Sequence, residues 1–186
     1  MNEFLWVEKY RPKNIEHCIL PDDLKKAFES FVDAGEVPNL LLCGTAGIGK
    51  TTVAKALCHE LGVDSIVING SDEGRFLDTV RNTAKQFAST VSLTSSAKHK
   101  VIIIDEADNT THDVQLLLRA SIEEFQRNCR FVFTCNFKNK IIQPLHSRTT
   151  VIDCNTRGKQ KQQIATQFFE RCRGILTAEN LSLIHI

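Results

Sequence analysis

Residues 44–51 read GTAGIGKT and match the pattern G-x-x-x-x-G-K-[ST] at every fixed position. Glycines let such a loop curl until its backbone N–H groups point inward, and the helix that follows adds the positive end of its dipole. The Lys50 ammonium can then reach the β- and γ-phosphates of a nucleoside triphosphate, and the Thr51 hydroxyl can ligate Mg²⁺. The segment therefore predicts a phosphate-binding loop rather than a chance glycine turn.

An acidic pair follows an apolar run of one valine and three isoleucines at residues 101–104. Such a run predicts a buried strand, and ligands lie at the carboxyl ends of strands in open α/β sheets. We predict that Asp105 holds the Mg²⁺, directly or through water, and that Glu106 polarises an attacking water. Alone, the pair could equally be a solvated edge or a helix cap, but the phosphate loop upstream favours catalysis. We interpret Asp108 as a first-turn helix residue and not as a ligand.

Two later polar residues have positions that suit catalysis. Asn136 follows a predicted strand that should lie beside the Asp105 strand, so its amide could hold the attacking water or the γ-phosphate. Asn is also a favoured turn residue, which leaves a purely structural alternative. Arg148 could form a surface ion pair or point at the nucleotide of a neighbouring subunit, and its spacing does not decide between them.

The elements that must position these residues alternate along the chain. Apolar runs predict strands at residues 39–43, 65–69, 100–104, 130–134 and 149–154, with helical periodicity between them and a short helix near 139–143. Fully apolar strands alternating with helices predict a parallel sheet covered on both faces. We therefore expect an α/β core with a five-stranded parallel sheet in residues 1–155, followed by a helical segment in residues 156–186.

Composition limits the class of protein. The 186 residues carry 23 Lys and Arg against 22 Asp and Glu, so the net charge of +1 gives no direct support for nucleic-acid binding, although a local basic patch stays possible. The N-terminus is charged by residue 3 and no apolar run approaches a membrane span, which predicts a cytoplasmic protein. Seven cysteines with no C-x-x-C pattern predict reduced, mostly buried thiols.

Together these motifs resemble the AAA+ ATPase subunits of sliding-clamp loaders. The resemblance is carried, in chain order, by WVEKYRP at residues 6–12, GTAGIGKT, IIIDEAD at 102–108, TCN at 134–136 and the Ser147-Arg148 pair. The run that includes NGSDEGRF and FKNKIIQPLHSR is most similar to the large subunit of T-even-type bacteriophage clamp loaders, which are replication factor C-like. The similarity covers about residues 4–175, and EKYRP combined with the Ser-Arg pair is its most specific part.

The resemblance implies a P-loop NTPase (AAA+) core that uses ATP and Mg²⁺. It implies that Arg148 is a finger acting in trans, that Asn136 is the first sensor, and that Asn69 couples DNA binding to Glu106. The residues that it places around the nucleotide are Glu8, Lys9, Tyr10 and Ile19 at the adenine, Gly44, Gly47, Ile48, Gly49, Lys50, Thr51 and Thr52 at the phosphates, and Thr51 and Asp105 at the metal. It also suggests DNA contacts by Arg75, Arg81 and Lys85, for which a solvated helix face is an equal alternative.

Members of this family hydrolyse ATP to open a ring-shaped clamp and close it around primer–template DNA. The implied partners are other clamp-loader subunits in a homo- and hetero-oligomeric ring, the sliding clamp and the DNA, with no membrane. The implied location is the cytoplasm, which for a viral protein is that of the host bacterium. The resemblance implies a helical lid and then a helical collar that assembles the ring. Within residues 156–186 we expect only the first part of the lid and no collar, so that this chain alone binds ATP weakly and neither assembles nor turns ATP over well. Thr149 stands where the family usually has the Cys of Ser-Arg-Cys.

Three other interpretations stay open. The string DEAD at residues 105–108 also characterises a family of RNA helicases, but that would need a second motor domain. A helicase loader or another AAA+ ATPase is a second possibility, which the EKYRP segment argues against. The third is a nucleotide-dependent DNA-binding scaffold that never hydrolyses ATP, which the intact Lys50, Asp105 and Glu106 argue against.

Overall fold

The computed structural model describes residues 5–71, 82, 84–90, 99–156, 158 and 160–181. Arg75 and Arg81, two of the three predicted DNA contacts, lie outside these residues, as does most of the helix predicted after residue 71. We number the described elements in chain order. The helices are α1 (Trp6–Lys9), α2 (Asp22–Ala34), α3 (Lys50–Glu60), α4 (Lys85–Ser89), α5 (His112–Phe125), α6 (Gln143–His146) and α7 (Gln160–Ala178), and the strands are β1 (Leu40–Cys43), β2 (Ser65–Asn69), β3 (Lys100–Asp105), β4 (Cys129–Cys135) and β5 (Thr150–Asp153).

The described strands form one parallel sheet in the order β2-β3-β4-β1-β5. β1 is buried throughout, and β3 and β4 are buried along nearly their whole length. This is the pattern of strands covered on both faces. The structure thus confirms the predicted α/β fold with a five-stranded parallel sheet, and each strand lies within a residue of its predicted bounds.

The core lies on both faces of the sheet because successive strand side chains point to opposite sides. On one face, Ile102 and Ile104 of β3 join a cluster with α5, whose Leu118 is fully buried. On the other face, Ile103 of the same strand packs in a cluster that contains Phe28 of α2 and Leu57 of α3. The two clusters hold α3 and α5 against opposite faces, and this places the first turn of α3 at the carboxyl edge of the sheet.

The segment after β4 differs from its prediction. Instead of one short helix at 139–143, a 3₁₀ turn spans Lys138–Lys140 and α6 begins at Gln143. Pro144 explains the shift, since proline is favoured in the first turn of a helix, where its missing N–H is not needed, and disfavoured farther inside. Residues 141 and 142 stay outside both helices, so the chain enters α6 in an extended conformation.

His99 lies just before β3 and is buried. Its Nε2 accepts a hydrogen bond from the backbone N–H of Val37 at 3.2 Å, which requires that nitrogen to be unprotonated. Burial, and to a lesser degree the charge of Arg130, lower the pKa of the His99 imidazole below its ordinary value. The neutral His99 side chain therefore connects the segment before β1 to the start of β3.

Across the part of the chain that the structure describes, no helix is long and apolar enough to cross a membrane.

Candidate nucleotide-binding and catalytic site

The loop between β1 and α3 owes its conformation to its glycines. Gly47 and Gly49 have φ values of 79° and 87°, in the left-handed region that glycine adopts without strain. Gly44 also has a positive φ, 151°, and a Cβ there would lie 3.3 Å from the backbone nitrogen of Asn155 and 2.4 Å from Cδ1 of Ile48. The backbone N–H of Gly44 donates to the carbonyl of Cys135 at 3.1 Å, so the start of the loop is fastened to the end of β4.

Lys50 begins α3, and only 8% of it is exposed. Its ammonium donates to the backbone carbonyls of Gly44 and Thr45, both at 2.8 Å, and to Oδ1 of Asn136 at 2.9 Å. All three partners are neutral oxygens, so no carboxylate cancels the charge through these bonds. A buried cation at the first turn of a helix, with only neutral oxygens as partners, is an arrangement suited to a phosphate.

A chain of hydroxyl and carboxylate oxygens lies beside Lys50. The Thr51 and Thr134 hydroxyls each donate to Oδ1 of Asp105 at 2.6 Å, and the Glu106 backbone N–H donates to the Thr134 hydroxyl at 3.0 Å. Thr134 is 2% exposed and comes from β4, which pairs directly with β3. One hydroxyl thus fixes both acidic residues. The prediction from the sequence omitted Thr134, although its position one strand from the acidic pair could have indicated a role in the site.

Glu106 leaves β3 in an unusual conformation, with φ 54° in a residue that is not glycine. Its Oε2 accepts a hydrogen bond from the side-chain amide of Asn109 at 3.1 Å. Gly70 lies against this turn, donating its N–H to the Asp105 carbonyl at 2.7 Å, and a Cβ at position 70 would lie 2.6 Å from the Glu106 carbonyl oxygen. Only a glycine fits here, which the sequence analysis did not recognise.

Asn69, the predicted switch residue, pairs in register with Asp105 at the end of β2. Its Oδ1 accepts hydrogen bonds from the backbone N–H and the hydroxyl of Ser71, at 3.1 and 2.8 Å. These bonds cap the local turn. Asn69 therefore lies close to the acidic pair, one strand away, and its side-chain amide oxygen is hydrogen-bonded to Ser71.

Asp108 and Asn136 lock two loops together. Asp108 lies in a 3₁₀ turn at Ala107–Asn109 and is 5% exposed, and its Oδ2 accepts from the backbone N–H groups of Asn136 and Phe137 at 3.2 and 3.1 Å. The prediction that Asp108 is a first-turn residue is therefore confirmed. In addition, Asp108 orients the backbone of Asn136, whose side chain reaches Lys50.

Two neighbouring cavities share the phosphate loop. The first, of about 310 Å³, is lined by Lys50, Thr51, both acidic residues and Asn136. The second, of about 370 Å³, is mainly apolar, and Gly47, Gly49 and Thr52 line both. Its other lining residues are Pro12, Cys18, Ile19, Leu20, Pro21, Ile48, Val53, Cys154, Thr156, Ile164 and Phe168. A polar cavity for phosphates therefore adjoins an apolar cavity with the size and character for a purine.

The structure brings Ile19 to the apolar cavity but not the side chains of Glu8, Lys9 and Tyr10. Glu8 forms an ion pair with Arg11, while Lys9 and the Tyr10 hydroxyl both bind Oε1 of Glu179, the latter at 2.6 Å. These bonds, that from Lys9 first, hold the pKa of the Glu179 carboxyl below its ordinary value. In this structure the EKY segment thus connects the start of the chain to the end of α7, and Pro12 takes its place in the cavity wall.

Arg148 points at its own chain. Its Nε and Nη2 donate to Oε1 of Glu123 in α5, at 2.8 and 2.5 Å, and its Nη1 donates to the Pro144 carbonyl at 3.0 Å. The guanidinium is partly exposed, and its contact lowers the pKa of the Glu123 carboxyl. The structure therefore shows the ion pair that the sequence left as one of two alternatives, at a surface where the guanidinium stays accessible.

The donor set suits Mg²⁺. A hydroxyl (Thr51) and a carboxylate (Asp105) converge at the wall of the polar cavity. Mg²⁺ is commonly bound by one or two such oxygens, with the rest of its shell supplied by water and phosphate.

Lys85, the one predicted DNA contact among the described residues, is an exposed residue that begins α4.

Comparison with known proteins defines the class. Residues 40–155 match the AAA family, the ATPase family associated with various cellular activities, and the chain belongs to this family. It is similar to the replication factor C small subunit of Methanoculleus marisnigri, 39% identical with 98% of this chain and 56% of that protein covered. It also resembles the subunit of the same name from Methanocella arvoryzae, 43% identical over 79% of this chain and 47% of that protein.

Among solved structures, a RuvB mutant of Thermotoga maritima superposes with a TM-score of 0.70, covering 92% of this chain and 56% of that one. At 23% identity this likeness shows the fold alone. The chain spans about half the length of the curated relatives it matches.

Proposed function

We propose that this chain is the ATP-binding and ATP-hydrolysing part of a sliding-clamp loader subunit that acts in DNA replication. The observation that carries the proposal is the convergence of Lys50, Asp105, Glu106 and Asn136 on one polar cavity beside an apolar one. Family membership and similarity to replication factor C small subunits support it. Within clamp loaders, the residue runs quoted above favour the large subunit of T-even-type bacteriophages, in the cytoplasm of the bacterial host.

ATP would enter with its purine against Ile19 and Phe168 and its phosphates on the loop from Gly44 to Thr52. The Lys50 ammonium would exchange its neutral carbonyl partners for phosphate oxygens, and this exchange is favourable because the phosphate oxygens carry the opposite charge. Thr51 and Asp105 would hold Mg²⁺. When bound, this ion would neutralise charge on the β- and γ-phosphates.

Glu106 would orient the attacking water and accept its proton. The Asn109 amide holds one oxygen of this carboxylate, and the Thr134 hydroxyl holds the Glu106 backbone, so the group starts from a defined position. Asn136 would serve as the first sensor, since its amide already touches Lys50 beside the site of the γ-phosphate. We propose that Asn69 acts on Glu106 through the adjoining strand ends when DNA binds.

Arg148 would act on the nucleotide of an adjacent subunit, a contribution worth about 10³–10⁵ in rate in related NTPases. To do so it must leave Glu123, and this is possible because partly exposed ion pairs are weak. The other proposed partners are the remaining clamp-loader subunits, the clamp and primer–template DNA, the last contacted by Lys85 with Arg75 and Arg81. Residues 1–155 would form the ATPase core and residues 156–186 the first part of the lid.

The decisive experiment measures binding of a fluorescent ATP analogue and ATP turnover, with and without primed DNA and clamp. We would make the measurements on this chain and on one that adds the implied lid and collar. We expect Lys50→Ala to lose ATP binding, and Glu106→Gln to bind ATP without turnover. Lys55→Ala is the matched control, since Lys55 lies on the same helix but does not line either cavity.

Turnover stimulated by primed DNA and clamp in the longer chain supports the proposal. ATP binding without turnover under every condition would instead indicate a nucleotide-dependent scaffold. Turnover indifferent to the clamp would indicate another AAA+ ATPase. Hydrolysis by Glu106→Gln at the parent rate would remove Glu106 from the assigned role.

A further inference from the structure

Two cysteines face each other directly beneath the phosphate site. Cys43 ends β1 and Cys135 ends β4, and the two residues are register partners on adjacent parallel strands. Their Sγ atoms lie 3.3 Å apart, and both residues are buried, with 5% and 1% exposed. All seven cysteines are free thiols. The pair is not used by the proposed ATPase mechanism.

We propose that Cys43 and Cys135 form a reversible disulfide when the protein meets a peroxide, and that this disulfide weakens nucleotide binding. Neighbouring strands lie about 4.8 Å apart, within the range of Cα separations that a disulfide spans. The two sulfurs are already in contact and need to approach to about 2.05 Å. The effect on nucleotide binding rests on the proposed function, whereas formation of the cross-link does not.

The reaction balances with peroxide as the oxidant. The Cys43 thiolate attacks one peroxide oxygen, the O–O bond breaks, and a sulfenic acid forms while the departing hydroxide takes a proton to become water. The Cys135 thiol then attacks the Cys43 sulfur, the S–O bond breaks, and a second water leaves with the Cys135 proton. Two thiols are oxidised by two electrons in total, and one peroxide is reduced to two waters.

The surroundings assign different roles to the two sulfurs. The hydrogen bond donated by Cys135 lowers the pKa of the Cys43 thiol, and the same contact raises the pKa of Cys135. Because the thiolate is the nucleophile, Cys43 is suited to attack first and Cys135 to resolve. By contrast, burial raises the pKa of the Cys18 thiol to about 11 and that of the Cys58 thiol to about 12, which makes them inert.

Peroxide can approach through the polar cavity as far as Cys135, which lines it and whose Sγ contacts the Sγ of Cys43. The same placement connects the thiols to the nucleotide. Cys43 precedes Gly44, whose carbonyl accepts from Lys50, and Cys135 precedes Asn136, whose amide oxygen accepts from the same ammonium. Drawing the two strand ends together therefore displaces two of the three partners that position Lys50.

Peptide mapping tests the cross-link. Trypsin releases Cys43 in residues 27–50 and Cys135 in residues 131–138, and neither peptide contains another cysteine. After treatment with hydrogen peroxide, we expect a linked pair of these peptides that dithiothreitol separates. Cross-links from Cys43 or Cys135 to other cysteines, or overoxidised peptides without a link, would overturn the proposal.

Affinity for a fluorescent ATP analogue tests the consequence. We expect the oxidised protein to bind about tenfold more weakly than the reduced protein, the size of one misplaced charge-assisted hydrogen bond. Cys43→Ala, whose residue lines neither cavity, should bind as the reduced parent does and be insensitive to peroxide. A complete cross-link with unchanged affinity would refute the connection to the site. If the reduced protein bound no ATP, the proposed function would fail, while the peptide map would still decide the disulfide.

Discussion

Thr134→Val removes one buried hydroxyl and keeps the shape of the side chain. That hydroxyl donates to Asp105 at 2.6 Å and accepts from the Glu106 N–H at 3.0 Å, and the residue is 2% exposed. The substitution therefore cuts a charge-assisted hydrogen bond and removes the partner of a backbone donor. Both losses fall on the two residues to which we assign metal binding and water activation.

The cost follows from these two bonds. A hydrogen bond to a charged group contributes about 1.5–3 kcal/mol, and an unsatisfied N–H adds about 1–3 kcal/mol where water cannot replace the partner. Two terms oppose this loss, because Asp105 keeps its bond from Thr51 and the added methyl group gains about 0.8 kcal/mol from burial. We expect the free energy of unfolding to fall by about 2–5 kcal/mol. ATP turnover should fall with it, since Asp105 and Glu106 lose their common anchor.

Urea unfolding followed by circular dichroism measures the stability change, and Thr134→Ser is the matched control because it retains the hydroxyl. We expect Thr134→Ser to be less destabilised than Thr134→Val by at least about 1 kcal/mol, although it loses a methyl group. If valine proved as stable as threonine, or serine the worse of the two, the hydroxyl would not be what holds the acidic pair, and the reasoning would be refuted.

Three further changes test other parts of the structure. Gly70→Ala should lower the free energy of unfolding by about 1–3 kcal/mol in urea, because its Cβ meets the Glu106 carbonyl, whereas Gly174→Ala, with open space in a helix, should be neutral or stabilising. Lowering the pH from 7.5 towards 5 should destabilise the parent more than His99→Gln, since the unfolded imidazole takes up a proton near pH 6.5, above the lowered pKa of the folded state. Phe168→Ala should weaken ATP-analogue binding by about tenfold in a fluorescence titration, while Phe169→Ala, 71% exposed and outside the cavity wall, should not.

For each of these three predictions, one result would contradict the reasoning. If Gly70→Ala were as stable as Gly174→Ala, the turn beside Glu106 would be able to accommodate a Cβ. Identical pH profiles for the parent and His99→Gln would remove the buried imidazole as the cause. Equal loss of affinity at the two phenylalanines would place the purine elsewhere.

Patterns that depend on neighbouring residues in the chain were predictable. The phosphate loop is a continuous motif between one strand and one helix, so Lys50 and Thr51 could be assigned from spacing alone. The strands are fully apolar because both faces are covered, and this predicted the parallel sheet and the pairing that brings β4 beside β3. These features follow from local chemistry and the alternation of side chains.

Features that depend on contacts between distant residues were not predictable. The role of Thr134 arises because the register of β3 and β4 sets its hydroxyl against Asp105. The approach of Cys43 to Cys135 spans 92 positions and depends on β1 being inserted between β4 and β5, an order that the chain sequence does not state. The hydrogen bond from Tyr10 to Glu179 likewise joins opposite ends of the chain, whereas the family resemblance implies that Tyr10 lies at the adenine.

The bonds from Lys9 and Tyr10 to Glu179 couple the docking of α7 to ligand binding in the apolar cavity. Ile164 and Phe168 of α7 form part of the apolar cavity, and Glu179, the residue after this helix, is held by Lys9 and Tyr10. A ligand that touches both the sheet side and the helix side of the cavity couples the two, and such coupling is reciprocal. With ATP bound as proposed, the factor by which the docked helix raises ATP affinity equals the factor by which ATP favours docking of the helix. Displacing α7 would therefore weaken ATP binding by that factor.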